Sequence, residues 1–199
     1  MVRIYLEAES AKVHEYVFVS TLMKHWGYDN SRFEIVPVRG KDNLHNVKVK
    51  FDETTLEGGR NIVIFDADFP SNGGGYENRR AELLEKLHEL GVYADLFLFP
   101  NNHDDGDVEV LLDTLARKDK HKRFFECFHD YECCLGKDYN SPDLKGKLYT
   151  YMTSQKAFSK RKISEIKSGQ WKFEDTDYWD IDRETLNPLK TFIRSAFEK

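Results

Sequence analysis

Short apolar runs alternate with amphipathic stretches along the first half of the chain. The runs VRIYL (2–6), NIVIF (61–65) and ADLFLF (94–99) are almost entirely apolar, which predicts strands that are buried on both faces. A fourth run, FEIVPV (33–38), contains Pro37, which indicates either a strand at a sheet edge or the end of a strand.

Helical spacing of apolar residues separates these predicted strands. Ser10 is the predicted N-cap of the first helix. Residues 44–57 fit either a short helix or a strand. The clearest helical patterns cover residues 13–26, 77–90 and 106–116.

This alternation predicts an α/β fold, with a mainly parallel, Rossmann-like sheet of about four strands flanked by helices. The pattern covers residues 1–117. Residues 118–199 change to charged and aromatic helical stretches, including 144–157 and 185–197. We therefore expect one α/β domain with a C-terminal helical extension packed on it.

Composition narrows the protein class. The 199 residues are 40% hydrophobic and 14% aromatic, which excludes a disordered chain, and the net charge is −5. No apolar run is long enough to span a membrane, and the N-terminus lacks the pattern of a signal peptide. Three cysteines do not suit a secreted disulfide framework. We predict a cytoplasmic protein whose Cys127, Cys133 and Cys134 are thiols in a helix core.

Acidic residues stand where the predicted strands end. Glu7 closes the first strand, and Asp66 and Asp68 follow the most buried one. Parallel sheets place their chemistry at the carboxyl ends of strands, and residues i and i+2 of a strand share a face. If the first and third strands are neighbours, the three carboxylates converge. Their repulsion would be relieved by Mg²⁺ or Mn²⁺.

Helix capping is the alternative for each acid taken alone. Asp107 is a candidate cap for the helix that carries Glu109. Residues 103–105 are expected to be solvated loop residues rather than metal ligands.

Glutamate at the end of one strand and Asp-x-Asp at the end of a later one resemble the Toprim domain of topoisomerases, primases and OLD-family nucleases. The matching segments are 4–22, 61–68 and 96–115. The last segment is similar to that of small stand-alone bacterial Toprim-like proteins, where Gly-x-x-Glu follows the fourth strand. Ala8 departs from the family, which usually has glycine there.

The resemblance implies a role for each matched acid. Glu7 would be a metal ligand or a general acid/base, Asp66 and Asp68 would coordinate Mg²⁺, and Glu109 would serve a second metal. No topoisomerase tyrosine, ATPase motif or zinc-binding module is recognisable in the sequence.

These features predict a Mg²⁺- or Mn²⁺-dependent nuclease that hydrolyses phosphodiester bonds of DNA or RNA. Lys12, Arg39 and Lys41 are the candidate phosphate contacts, because they fall near strand ends. The basic residues between 156 and 167 are more simply a solvated helix face.

Two alternatives remain open from the sequence. A haloacid-dehalogenase-like phosphatase would use Asp66 as its nucleophile, although Phe69-Pro70 departs from that motif. A non-catalytic protein would bind metal or nucleic acid, or regulate a partner such as an ATPase. Its partner surface would be formed by aromatic residues of the extension, which otherwise pack in the core: Phe124, Phe125, Phe128, Tyr131, Tyr149, Tyr151 and Phe158.

Overall fold

A computed structural model describes residues 1–198 and contains a four-stranded, all-parallel sheet. Its strands are β1 (Val2–Glu7), β2 (Phe33–Val38), β3 (Arg60–Asp66) and β4 (Asp95–Phe99), in the order β2-β1-β3-β4. The predicted α/β class is confirmed and β2 lies at an edge of the sheet, and the first and third strands are neighbours, as the convergence of Glu7 with Asp66 requires.

Eight α-helices surround and extend this sheet within the described residues. They are α1 (His14–His25), α2 (Lys48–Leu56), α3 (Tyr76–Leu90), α4 (Val108–Leu115), α5 (Lys122–Leu135), α6 (Leu144–Thr153), α7 (Lys160–Lys167) and α8 (Asn187–Phe197). The ambiguous stretch 44–57 is helical, because it forms the end of a 3₁₀ turn and then α2. No helix in residues 1–198 is long and apolar enough to cross a membrane.

The prediction that Ser10 caps the first helix is wrong. The backbone N–H groups of Lys12 and Val13 turn back onto the Ser10 hydroxyl and carbonyl oxygens, at 3.3 and 3.4 Å. This turn delays the helix, and α1 begins at His14 without a side-chain cap.

Side chains alternate between the two faces of the sheet and fill two cores. On one face, Tyr5, Val63 and Leu98 pack with α2 and α3. The opposite face, which includes Ile4 and Ile64, packs against α1, α4 and the C-terminal extension.

The extension contributes large side chains to this second core. Tyr151, Phe173 and Trp179 are fully buried. The indole N–H of Trp179 donates to the carbonyl of Trp171 at 3.0 Å, and the N–H of Asp180 donates to Leu115 in α4 at 2.8 Å. Residues 118–198 therefore share their core with the sheet.

The prediction that the cysteines are core thiols is wrong. Cys127, Cys133 and Cys134 are all exposed on α5. Phe124 and Phe125 of this helix contact Tyr151 of α6, and Phe128 is its buried residue, so the thiols fall outside these contacts.

Candidate functional site

The carboxyl ends of β1 and β3 bring Glu7 and Asp66 together. The strands run in parallel register, with Leu6 opposite Ile64. As a result, Glu7 Oε2 accepts a hydrogen bond from the backbone N–H of Asp66 at 3.1 Å. The two acids lie side by side at the sheet edge where α/β proteins place their chemistry.

The Asp66 side chain links the sheet to α4. Its Oδ1 accepts a hydrogen bond from the N–H of Val108, the first residue of that helix, at 2.9 Å. Asp107 caps the same helix, as the sequence predicted, by accepting from the N–H of Val110 at 3.1 Å.

Asp68 lies beyond the end of β3 and faces a different partner. Its backbone is left-handed, with φ 59°, so strand alternation does not set the direction of its side chain. Two backbone hydrogen bonds with Gly106, at 2.7 and 2.8 Å, hold this conformation. Asp68 Oδ2 pairs with Arg79 of α3 at 2.6 Å, and Arg79 also pairs with Glu82 at 2.8 Å.

Burial and nearby negative charges resist ionisation of the two strand-end acids. Burial raises the pKa of Asp66 well above its ordinary value, and the charges of Glu7 and Glu109 raise it further. Burial also raises the pKa of Glu7, although the hydrogen bond from Asp66 partly offsets the effect. A cation bound beside the two groups would favour their ionised forms.

Glu109 belongs to a neighbouring cluster rather than to the strand-end pair. Its Oε1 lies 2.9 Å from Nε2 of His14 and 3.3 Å from Nζ of Lys145. Burial opposes ionisation, but the hydrogen bond and charge of His14, together with Lys145, outweigh it and lower the pKa of Glu109. Ligand atoms of His14, Glu15 and Glu109 lie within 4.8 Å of one another, a spacing that could hold a metal.

Lys145 brings a positive charge from the extension to this second cluster. Its Nζ lies 3.2 Å from Glu15 Oε1, in addition to its contact with Glu109. The ammonium group therefore already neutralises part of the negative charge that a metal would otherwise meet.

Glu15 connects the two clusters. Its Oε2 is buried and has no hydrogen-bond partner among the described residues. Glu15 also lines a cleft of 380 Å³ that includes Glu7, Asp66 and Arg39. The carboxylate of Glu15 is close enough to the strand-end pair for its charge to raise the pKa of Glu7.

The three predicted phosphate contacts lie in different settings. Arg39 lines the acidic cleft and donates to the carbonyl of Glu9 at 3.2 Å. Lys41 instead pairs with Glu82, while Lys12 is exposed in the turn before α1. Arg39 is thus the one of these three that faces the cleft.

Replacing Lys145 with methionine should destabilise the protein. The variant leaves only the imidazole of His14 in contact with both Glu15 and Glu109. Because the Lys145 side chain is 52% exposed, we expect solvent to reduce the loss of unfolding free energy to about 1 kcal/mol. Urea unfolding would measure it, with Lys122→Met as a control for an exposed lysine. Equal stability of both variants would contradict the role assigned to Lys145.

Stability should also depend on pH through Glu7. Because its pKa is raised by folding, the native state binds a proton more tightly than the unfolded state does. The free energy of unfolding therefore begins to fall as pH rises through the unfolded pKa, about 4.3, and stops falling above the folded pKa. Wild-type stability in EDTA should therefore fall relative to Glu7→Gln as pH rises. Urea unfolding of both proteins over this range would test the effect, and a constant difference would contradict it.

Four residues of the site were not predicted from sequence. His14, Glu15 and Arg79 carry no motif, and their spacing suits ordinary exposed helix positions. Lys145 is 130 residues away from its partner Glu15.

Comparison of the chain with protein-family models, curated proteins and solved structures gave no match.

Proposed function

We propose that the protein is a Toprim-like, Mg²⁺- or Mn²⁺-dependent hydrolase of phosphodiester bonds in nucleic acid. The observation that carries the proposal is the contact between Glu7 and Asp66 at the carboxyl edge of adjacent parallel strands. Both carboxyl groups have a raised pKa, and both line one cleft. A pair in this state gains stability when a cation binds.

The residues of the cleft fit a hard divalent cation. Glu7 and Asp66 supply carboxylate oxygens, the donors that Mg²⁺ and Mn²⁺ prefer, and Asp68, outside the cleft lining, is close enough for its charge to raise the pKa of both. Glu15, which lines the same cleft, adds a further carboxylate whose charge acts on Glu7. These residues would hold the metal, with Glu109 as an additional acid. When bound, the metal would supply water activation and stabilise charge on the phosphate.

The remaining side chains have roles that follow from their positions. The raised pKa of Glu7 brings its proton exchange closer to neutral pH, which suits a general acid or base. Arg39, at the cleft wall, would meet a phosphate oxygen. Arg79 fixes the direction of Asp68. A cytoplasmic location would supply DNA, RNA and a possible ATPase partner.

The phosphatase alternative receives less support. The motif of that family usually has Thr or Val two residues after its second Asp, and this chain has Pro70 there. The hydrogen bond from Val108 also occupies Oδ1 of Asp66.

The proposal can be tested by calorimetry and by nicking of plasmid DNA. Wild-type protein should bind Mn²⁺ and nick a supercoiled plasmid with Mn²⁺ but not with EDTA; an RNA substrate would test the other nucleic acid. Glu57→Gln, which changes an exposed acid after α2 and outside the cleft, should behave as wild type. Mn²⁺ binding without cleavage of either substrate would favour the regulatory alternative. Absence of Mn²⁺ binding would contradict the metal centre.

A further inference from the structure

A groove lies between α5 and α6, on the extension and outside the acidic cleft. Its volume is 820 Å³, within the range of ligand-binding sites. One wall is a stripe on α5, with residues spaced one turn apart at 123, 127 and 131 and at 124 and 128. The other wall includes Thr150 and Ser154 from the end of α6.

The groove is basic although the protein is acidic overall. Lys120, His121, Arg123 and Lys156 line it, and no aspartate or glutamate is among its lining residues. Lys120 pairs with Asp177 at 2.7 Å, whereas Arg123 and Lys156 form no ion pair with any residue from 1 to 198. In a chain of net charge −5, this is a local site for an anionic ligand.

Aromatic rings lie along the same groove. Tyr131 is 47% exposed, Phe124 is partly buried, and Phe128 forms the floor. The distance along α5 from Arg123 to Tyr131 is roughly 12 Å, from eight residues at the helical rise. Cationic groups beside accessible rings are the combination that binds phosphates and unpaired bases of a single strand.

The groove and the acidic cleft are connected by α6. Lys145, at the start of this helix, contacts Glu15, which lines the cleft. Thr150 and Ser154, at its other end, line the groove. The groove and the cleft therefore border opposite ends of one ten-residue helix, which is roughly 15 Å long.

We infer that the α5–α6 groove is a binding site for single-stranded nucleic acid. The positive charge of the groove favours an anionic ligand. A base can stack on the exposed ring of Tyr131 only if it is not already stacked inside a duplex. The inference deepens the proposed function by naming the strand state of the substrate, and it rests on that function only for the claim that the bound strand is cut.

Binding can be measured without catalysis, as fluorescence anisotropy of labelled oligothymidylate in EDTA. Wild-type protein should bind it at least about tenfold more tightly than a duplex. Arg123→Ala/Lys156→Ala should weaken binding about tenfold. The logarithm of the binding constant should fall with the logarithm of salt concentration at a slope of roughly −2 in the wild type, where Lys120, Arg123 and Lys156 all line the groove, and less steeply in the variant. Lys122→Ala/Arg161→Ala changes the net charge equally at exposed residues outside the groove and should bind as wild type.

Stacking has its own variants. Tyr131→Ala should weaken binding about tenfold, and Tyr131→Phe, which keeps the ring, should restore it. Cys127 lines the groove whereas Cys133 and Cys134 do not, so bound oligonucleotide should slow maleimide labelling of Cys127 alone.

Three results would overturn the inference: equal loss of binding in the groove and control double variants, unprotected Cys127, or displacement of the oligonucleotide by an equal concentration of polyglutamate. The last would identify a site for acidic protein segments. Cleavage by a protein whose groove variants bind normally would reject the groove and leave the proposed function intact. Binding of the oligonucleotide in the groove without cleavage would support the groove and contradict the proposed function.

Discussion

Asp66→Asn is expected to lose Mn²⁺-dependent nicking by at least about 1,000-fold, equivalent to roughly 4 kcal/mol of transition-state stabilisation. The substitution keeps the acceptor oxygen for the N–H of Val108 and removes only the charge. Because burial and Glu7 oppose that charge, the melting temperature in EDTA should stay equal or rise. Nicking rates, Mn²⁺ calorimetry and thermal unfolding of the same preparation would separate the two effects.

Asp95→Asn is the matched control for this variant. Asp95 begins β4 at the opposite edge of the sheet and pairs with Arg60 at 2.7 Å, so its loss should leave nicking unchanged. If Asp66→Asn nicked plasmid as fast as wild type, the activity would have to come from another site or from a contaminant.

Trp179→Ala is expected to cost about 3–5 kcal/mol of unfolding free energy. Trp179 is fully buried against Tyr151, Phe173 and the end of α4, in the core that also covers the sheet. The melting temperature should fall by roughly 10 °C for a chain of this length. Calorimetry should show one transition, because the extension and the sheet share that core.

Tyr139→Ala controls for removal of an aromatic ring. Tyr139 is 70% exposed, and its loss should change stability by less than about 0.5 kcal/mol. A Trp179→Ala protein that melts in two steps, with the sheet retaining wild-type stability, would show that the extension folds independently.

The strands could be predicted because a strand that is buried on both faces needs a continuous apolar run. The runs at 2–6 and 61–65 stand out clearly in a chain that is otherwise rich in polar residues. The start of α1 could not. Ser10 has the chemistry of a helix cap, but its oxygens are used by a local turn. The cysteines were misplaced because helical spacing does not reveal which face of α5 has a neighbour.

The candidate site divides in the same way. The contact of Glu7 with Asp66 follows from two strand ends and the rule that parallel strands share an edge. The pairing of Lys145 with Glu15 and Glu109 depends on how the extension returns to the sheet. Arg79 reaches Asp68 only because the backbone turns left-handed after β3. Neither event leaves a periodic signal in the sequence.

Pro37 in the edge strand β2 has a consequence for association between copies. The carbonyl of Val38 accepts a hydrogen bond from the N–H of Ala8, in the segment after β1. The backbone polar groups of Val38 therefore point towards β1, and those of Pro37 point away from the sheet. Proline at that outward position has no N–H to donate to an incoming strand. The free side of β2 is therefore a poor template for sheet extension, which protects the protein from edge-to-edge aggregation.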